Sequence, residues 1–271
     1  MSSATTRIHP TAVIDPHAEI DEDCLIGPGA VIDAHVRIGA GCRIGPGVYL
    51  TGHTTLGPGN CLHAGAVIGD APQDLKYSGA PTRLRIGANN VFREHVTVHR
   101  SNKLEEDTQI GDGNLFMAGS HVGHNCILGN HNVLANGALL AGHVTLADRA
   151  FISGNCLVHQ FCRVGRLALM QGGSAISKDL PPFCIARGDN GMAGLNTIGL
   201  RRAGFDSPTR LALRQLFKVL FRRNERMSAA LERARREFAH EVCLEQIAFV
   251  AASRRGVCAA TGRIGADEAG E

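Results

Sequence analysis

Residues 20–50 read IDEDCLIGPGAVIDAHVRIGAGCRIGPGVYL, with a large aliphatic residue at every sixth position. The same count, extended from Ile8 to Ile176, covers 29 positions, and 27 of them hold a large apolar residue. At the chain's apolar content of 44%, about 13 would be expected. The two exceptions are Asp74 and Ala80. Because six is not a helical period, the pattern indicates a short strand followed by a tight bend.

Each six-residue unit also has a small residue four positions after the large one, and glycine often follows the large residue directly, as at Gly27. We expect this glycine to ease the bend. Three units form an 18-residue triangular coil, in which residues 18 apart stack about 4.8 Å apart. The sequence therefore predicts a mainly β fold, a parallel β-helix with a core of small and aliphatic side chains. Five of the nine cysteines occupy the small position and are expected in that core: Cys24, Cys42, Cys126, Cys156 and Cys162.

The period lapses in residues 70–85, which contain two prolines and cannot supply regular coil strands. We interpret this segment either as a binding loop on a rigid scaffold or as a tolerated surface insertion. The binding loop is favoured by four of its residues, namely Asp74, Lys76, Tyr77 and Arg83. A second stretch, Arg100–Thr108, keeps the period through Leu104 and is predicted to be solvated surface.

After Ile176 the six-residue period gives way to helical spacing. Ser207 and Ser228 are predicted to cap two helices, with Pro208 at the first position of the earlier one, and a third helix is expected over Glu241–Ser253. The predicted divisions are a β-helix at 1–180 with a loop at 70–85, an irregular connector at 181–206, a helical domain at 207–256 and a disordered tail at 257–271.

The net charge of +3 is too balanced to argue for nucleic-acid binding. No run of 18 apolar residues is present, so a membrane span is not expected. The polar start and the absence of a CxxC pair predict free thiols and a cytoplasmic protein. Residues 190–256 carry 13 Lys and Arg against 6 Asp and Glu, which indicates either an acidic partner or a solvated helix face.

Histidines gather where the 18-residue spacing superposes them. We expect one edge of the prism to carry, on three successive coils, His121, His124, Gly142, His143, His159 and Gln160. The other nine histidines are expected to be spread over the coils without such clustering. Two chemistries fit the edge. Three converging imidazoles could bind zinc, or His124 could act as a general base with the Gly142 N–H stabilising an oxyanion.

Five segments resemble the acyl-carrier-protein–UDP-N-acetylglucosamine O-acyltransferases, which begin lipid A synthesis: Gln73–Tyr77, His121–His124, Leu140–His143, Val158–Phe161 and Asn196–Phe205. The first segment is specific to this family, whereas hexapeptide repeats occur in many acyltransferases. The resemblance implies a left-handed coil and a homotrimer with active sites between subunits. It implies acyl carrier protein and UDP-N-acetylglucosamine as partners, and neither a metal nor a dissociable cofactor. An acidic carrier protein would suit the basic helical end.

The resemblance also implies roles for individual residues. His124 would be the general base, and the Gly142 backbone would stabilise the oxyanion. Substrate contacts would come from Gln73, Asp74, Lys76, His121, Asn125, His143, His159, Gln160, Asn196 and Arg202. The acyl pocket would include Gly154, Met170 and Gly173. Because a larger residue at the last position shortens the accepted chain in this family, its glycine predicts a longer acyl chain.

The sequence departs from the family at three places. Asn125 stands where the family often has an aspartate beside the catalytic histidine, so it can orient the ring without supplying charge. Ala203 interrupts the usual Arg-Arg-Gly-Phe, so Arg201 could replace Arg202, and Asn190 stands where a pocket-floor histidine is known. The alternatives are a zinc-dependent lyase of the carbonic-anhydrase type that uses histidines from neighbouring subunits, a sibling N-acyltransferase acting on a 2-amino sugar, and a non-catalytic scaffold.

Overall fold

The computed structural model describes residues 5–222 and 225–261. In it the chain winds into a parallel β-helix with three faces, and four helices of the described residues follow the last coil. Most strands contain only two residues, and each pairs in parallel with the strand one coil away, as His121 does with Leu139. This arrangement follows from the six-residue repeat, because each unit supplies one short strand and one turn.

Face 1 begins at the N-terminus and is extended past the last coil by three further strands. Its described strands are Arg7–Ile8, Leu25–Ile26, Arg43–Ile44, Cys61–Leu62, Val91–Phe92, Leu115–Phe116, Val133–Leu134, Phe151–Ile152, Leu169–Met170, Cys184–Arg187, Gly191–Leu195 and Ala259–Ala260.

Face 2 follows face 1 in every coil. Its described strands are Val13–Ile14, Val31–Ile32, Tyr49–Leu50, Val67–Asp70, Thr97–His99, His121–Val122, Leu139–Leu140, Leu157–Val158 and Ala175–Ile176. Face 3 completes the coil. Its described strands are Glu19–Ile20, Arg37–Ile38, His53–Leu56, Arg83–Ile86, Thr108–Ile110, Ile127–Leu128, Thr145–Leu146 and Arg163–Val164.

The interior holds the large and small residues of the repeat, and the five cysteines at the small position are fully buried, as expected. The role expected for the glycines after the large residues is wrong. At Gly27 a Cβ would lie 2.9 Å from the carbonyl carbon of Gly45, so glycine there permits close stacking of coils. The left-handed backbone falls two residues later, at Gly29 with φ +65° and at Asn125 with φ +58°.

Two insertions project from the edge between faces 2 and 3. Arg83 pairs with His53 across the first, and Leu84 pairs with Thr108 across the second. In a regular coil, as between His121 and Leu139, three repeat units separate the partners. The first insertion therefore adds two repeat units and the second adds one. Because both additions are whole units, the six-residue count stays in phase on either side of them. Leu104, inside the second insertion, therefore falls on a core position of the count although 49% of its side chain is exposed.

A column of buried asparagines runs through the coils that carry these insertions. Asn60 Oδ1 accepts the backbone N–H of Asn90 at 2.9 Å. Asn90 Oδ1 accepts that of Asn114, and Asn114 Oδ1 that of Asn132, both at 2.8 Å. Asn132 Oδ1 then accepts the N–H of Ala150 at 2.8 Å. Each amide thus replaces a missing backbone acceptor inside the prism.

The connector is more ordered than the sequence predicted. The strands Cys184–Arg187 and Gly191–Leu195 form an antiparallel pair, and helix α1, Thr197–Arg202, follows them. The prediction of a disordered tail from residue 257 is wrong for Ala259–Ala260, which pairs with Gly191–Met192. Residues 262–271 of that tail lie outside the described residues.

Three longer helices pack on the last coil: α2 (Ser207–Phe221), α3 (Met227–Glu237) and α4 (Glu241–Ala251). The cap of α2 is Asp206, whose carboxylate accepts the N–H of Thr209, and not Ser207. Ser228 lies inside α3 and does not cap it. Gln246 Nε2 donates to the carbonyl oxygen of Pro182 at 2.8 Å and ties α4 to the prism. Among the described residues, no helix combines the length and apolarity that crossing a bilayer requires.

Candidate active site

A groove of about 670 Å³ runs along face 2 at its edge with face 3. It is lined by residues from five successive coils, the 71–82 insertion and the turn between the strands Cys184–Arg187 and Gly191–Leu195, including Gln73, His99, His121, His124, Gly142, His159, Gln160 and Asn190. Leu139 and Leu157 form an apolar floor, with exposed fractions of 41% and 48%. The groove thus has a histidine-rich edge beside an apolar surface.

His124 occupies the turn of its coil, and Gly142 lies one coil further along. A Cβ on Gly142 would approach the His124 Cε1 and Nε2 atoms to 2.7 Å, so only glycine leaves space for the ring. The neighbouring backbone is fixed, because the His143 N–H donates to the His124 carbonyl at 2.8 Å. Among the described residues, the Gly142 N–H has no backbone acceptor. Gly142 therefore lies beside the imidazole Nε2 and has a backbone N–H that no described backbone carbonyl accepts.

Asn125 lies beneath this ring rather than in the groove, with an exposed fraction of 5%. Its Oδ1 is 2.9 Å from His124 Nδ1 and accepts the backbone N–H of Asn102 at 3.0 Å. Its Nδ2 donates to Ser101 Oγ at 2.8 Å and to Glu106 Oε2 at 2.9 Å. Since both polar atoms of its side chain are engaged by the protein, Asn125 orients the histidine and leaves no side-chain group for a substrate.

The other histidines of the edge surround His124 closely. The His143 ring meets it edge-on, with 5.1 Å between ring centroids, and stacks on Phe161 at 4.6 Å. Burial, reinforced by the neighbouring His99 and His124, lowers the pKa of His121 to about 4. Burial likewise lowers the pKa of His143. Both imidazoles are therefore neutral near pH 7 and can donate or accept hydrogen bonds to a polar ligand.

The 71–82 insertion reaches the same edge. Asp74 Oδ1 accepts the backbone N–H of Lys76 at 3.0 Å, and its Oδ2 accepts the Asn102 amide at 2.7 Å. The backbone bond from Lys76 is the main cause that lowers the pKa of Asp74. Gln73 lines the groove, and the Lys76 side chain is exposed. The two insertions are thus joined to each other beside His124.

Three residues of the site were not predicted from the sequence. His99 lines the groove with an exposed fraction of 5% and meets His121 edge-on at 4.8 Å. Ser101 and Glu106 belong to the second insertion, which was predicted to be solvated surface. His99 is level with Gly123 of the next coil, but the two are separated by one coil plus one repeat unit because of the second insertion. Their proximity can be read from the sequence only when the length of that insertion is known.

Other predicted residues lie elsewhere. Asn196 caps α1 by accepting the Gly199 N–H, and Arg202 ends that helix; neither lines the groove of its own chain. Gly154 and Gly173 stack on the edge between faces 1 and 2, where the Gly173 N–H donates to the Gly154 carbonyl at 2.9 Å. Placing Met170 in an acyl pocket is wrong, because its side chain points into the prism core with 0% exposed.

The zinc alternative needs three ligands that converge on one point. Within residues 5–222 and 225–261, no group of three or more His, Cys, Asp or Glu side chains has that arrangement. His124 and His143 meet edge to face, and His121 Nδ1 is instead 2.7 Å from Thr97 Oγ1. The edge histidines of one chain are arranged for hydrogen bonding.

Comparison with known proteins covers nearly the whole chain. A model of bacterial transferase hexapeptide repeats matches residues 35–70 and 107–142, and the second domain of UDP-N-acetylglucosamine O-acyltransferase matches residues 179–258. An acyl-[acyl-carrier-protein]–UDP-N-acetylglucosamine O-acyltransferase of Alkalilimnicola ehrlichii is 48% identical over 93% of this chain and 99% of its own. One from Anaeromyxobacter sp. is 44% identical over 92% and 98%.

The chain belongs to the acyl-[acyl-carrier-protein]–UDP-N-acetylglucosamine O-acyltransferase family. Solved structures of this family agree with the architecture. UDP-N-acetylglucosamine acyltransferase from Campylobacter jejuni superposes with a TM-score of 0.88 at 34% identity, covering 93% of this chain and 99% of that one. The enzyme from Francisella novicida gives 0.89 at 34% identity, with 95% of each chain covered. The predicted fold, a left-handed parallel β-helix followed by short C-terminal helices, is therefore confirmed.

Proposed function

We propose that this chain transfers an (R)-3-hydroxyacyl group from acyl carrier protein to the 3-hydroxyl of UDP-N-acetylglucosamine, the first step of lipid A biosynthesis. One observation carries the proposal beyond family membership. His124 has its Nδ1 engaged by Asn125 and its Nε2 beside Gly142, at the edge of an apolar groove. A base, an N–H donor and an acyl-sized surface are the three elements that the reaction needs.

In the proposed reaction, His124 Nε2 removes the proton of the sugar hydroxyl as its oxygen attacks the thioester carbonyl carbon. The carbonyl oxygen becomes negative, and the Gly142 N–H donates to it. The carbon–sulfur bond then breaks, and the imidazolium returns its proton to the departing thiolate of the carrier protein. The products are the 3-O-acyl sugar nucleotide and the free carrier thiol, so the chain needs no cofactor.

The surroundings of His124 suit the two substrates. Neutral His121 and His143 can bond sugar hydroxyls, while Asp74 and Gln160 lie on the same edge. The acyl chain would lie on Leu139 and Leu157 across face 2. It would reach the opposite edge of that face, where Gly154 and Gly173 lie.

We also propose a homotrimer. Asn196 and Arg202 lie away from the groove of their own chain, so a neighbouring copy would have to bring them to the nucleotide. Leu75, at the tip of the 71–82 insertion, is fully exposed, and Phe161 is 50% exposed beside the active edge. Covering such apolar side chains is what an assembly of copies would achieve.

The carrier protein is proposed to dock on the basic helical end of the chain, which has a net charge of +7 over residues 190–256. A cytoplasmic location accords with nine free cysteines. Burial raises the pKa of Cys126 and Cys258 to about 12, which keeps these thiols in their unreactive form.

The test is an assay of the purified protein with UDP-N-acetylglucosamine and carrier proteins that bear 3-hydroxyacyl chains of graded length. We expect release of the carrier thiol and formation of a 3-O-acyl sugar nucleotide, unaffected by a metal chelator. A folded protein that transfers none of these chains would contradict the proposal. Stoichiometric zinc with activity lost on chelation would support the lyase instead.

A further inference from the structure

The Asn125 amide has an orientation that its partners determine. Its Oδ1 receives a backbone N–H from Asn102, a group that can only donate. Its Nδ2 faces Glu106 Oε2, and a carboxylate can only accept. The oxygen and nitrogen of this amide therefore cannot be exchanged.

This orientation determines the tautomer of His124. Because Asn125 Oδ1 is an acceptor, His124 Nδ1 at 2.9 Å must carry the proton and donate it. The neutral ring then has an unprotonated Nε2 toward the groove. A general base requires this tautomer, and it is set here without a carboxylate in direct contact with the imidazole.

A carboxylate is nevertheless one amide away. Glu106 uses Oε2 to accept from Asn125 and Oε1 to accept from Lys103 Nζ at 2.8 Å. Both bonds lower the pKa of Glu106, and the one from Lys103 has the larger effect. Glu106 is therefore charged near pH 7. Glu106 Oε2 also lies 3.8 Å from His143 Nδ1. Of the two glutamates in this insertion, the structure places this one against the machinery of the site.

We propose that Glu106 is a positioning residue that acts on His124 through the Asn125 amide. It holds the amide nitrogen away from the ring and supplies the negative charge that the imidazolium meets when it forms. The carboxylate that the family often has beside the histidine is thus displaced by one hydrogen bond into the second insertion. The inference rests on the proposed acyl transfer with His124 as base.

The other groups that face this network bear on its pH dependence. Asp74 and Lys76 come from the first insertion and Lys103 from the second, while His99, His121 and His143 come from the coils. The variants below leave all of these unchanged. Because Glu106 also faces His143 at 3.8 Å, a pH shift in Glu106→Gln reports the loss of this charge at both His124 and His143. The exchange variant, Asn125→Asp/Glu106→Gln, separates the two, since it returns a carboxylate beside His124 and not beside His143.

The first variant is Glu106→Gln, which keeps the size and an accepting oxygen but removes the charge. We expect kcat to fall about tenfold, with KM for UDP-N-acetylglucosamine unchanged within about twofold, because Glu106 does not line the groove. The ascending limb of the kcat/KM profile should move to lower pH, since protonated His124 loses its counter-charge. The matched control is Glu105→Gln, an exposed carboxylate of the same loop that bonds to none of the described residues.

The second variant exchanges the roles of the pair. Asn125→Asp alone sets two carboxylates against each other at a contact of 2.9 Å and should lower kcat at least as much. The Asn125→Asp/Glu106→Gln double variant restores one amide and one carboxylate, and Asp tolerates the left-handed backbone at φ +58°. We expect its kcat to recover to within about threefold of the wild type.

The outcomes separate the two proposals. A wild-type protein without acyl transfer refutes the proposed function itself. An active wild type whose Glu106→Gln variant keeps its kcat and pH profile refutes only the role of Glu106. A double variant whose kcat is no higher than that of the slower single variant also refutes the role of Glu106. This holds even if one of the single variants is less stable to heat than the wild type.

Discussion

The edge between faces 2 and 3 carries a column of histidines in both halves of the prism, but only one half forms a site. His17, His35 and His53 lie one above another on successive early coils, and the rings of the last two stack at 4.3 Å. The expectation that the other nine histidines are spread over the coils without clustering is therefore wrong. On the later coils His124 and His143 meet edge-on at 5.1 Å.

Two differences separate these halves. His124 lies two residues after the buried Val122, whereas His53 lies three after Leu50, so only His124 stands over the glycine of the next coil. Both insertions also project from this edge between the two halves, and their polar side chains bury the later turn. A stack of imidazoles is thus a consequence of the repeat. The site requires in addition that His124 be shifted by one residue within its turn, and that the two insertions cover that turn.

The sharpest test of this comparison is His124→Ala against His35→Ala. We expect the first to lower kcat about 10³-fold, because it removes the proton acceptor, and the second to leave kcat within about twofold. Thermal unfolding should be nearly unchanged in both, since each residue occupies a turn outside the core. Substantial turnover in His124→Ala would remove the base assignment.

The buried histidines predict a pH dependence of stability. The pKa of His121 is about 4 in the folded chain against about 6.5 when unfolded. Below pH 6.5 the unfolded state therefore binds the proton first, and the free energy of unfolding falls by about 3 kcal/mol as the pH decreases to 4. Above pH 6.5 this contribution is complete. Urea unfolding of a His121→Asn variant should show a shallower loss than the wild type over the same pH range.

A methyl group at Gly142 tests whether the space beside His124 matters. In Gly142→Ala the new Cβ would lie 2.7 Å from the imidazole and displace it. We expect kcat to fall about 10²-fold, because small misplacements of a reacting group are costly. Gly172→Ala is the control, since its Cβ would lie 3.6 Å from the nearest atom. Equal activities in steady-state assays would show that the ring position is not critical.

The smallest effect is expected on the far edge of face 2. Gly173→Met would extend a side chain from a position where a Cβ meets nothing within 4 Å. We expect a roughly tenfold shift in kcat/KM toward shorter acyl donors, in the range that pocket-filling groups give. Gly173→Asn is the control, because it also places a non-glycine residue in the left-handed backbone at φ +71° but has a shorter side chain. It should keep the preference of the wild type among acyl donors. An unchanged profile in Gly173→Met would place the acyl chain elsewhere.

The sequence predicts the prism and the meeting of His124 with Gly142 because both follow from one repeat length. It does not predict the role of the second insertion, because one added repeat unit leaves the phase intact and Leu104 matches a core position while facing solvent. The pairing of Gly191 with Ala259 was missed for another reason. These two strands are far apart in the sequence, and no local sequence pattern predicts that they pair.

The asparagine column explains how this edge could gain its loops. Successive members are 30, 24 and 18 residues apart, yet each amide bonds the next backbone N–H at 2.8–2.9 Å. Strand alignment is thus secured from inside the prism, independently of the chain length that passes outside. Lineages could lengthen, shorten or exchange these loops, and so retune substrate choice, while the scaffold beneath keeps its alignment.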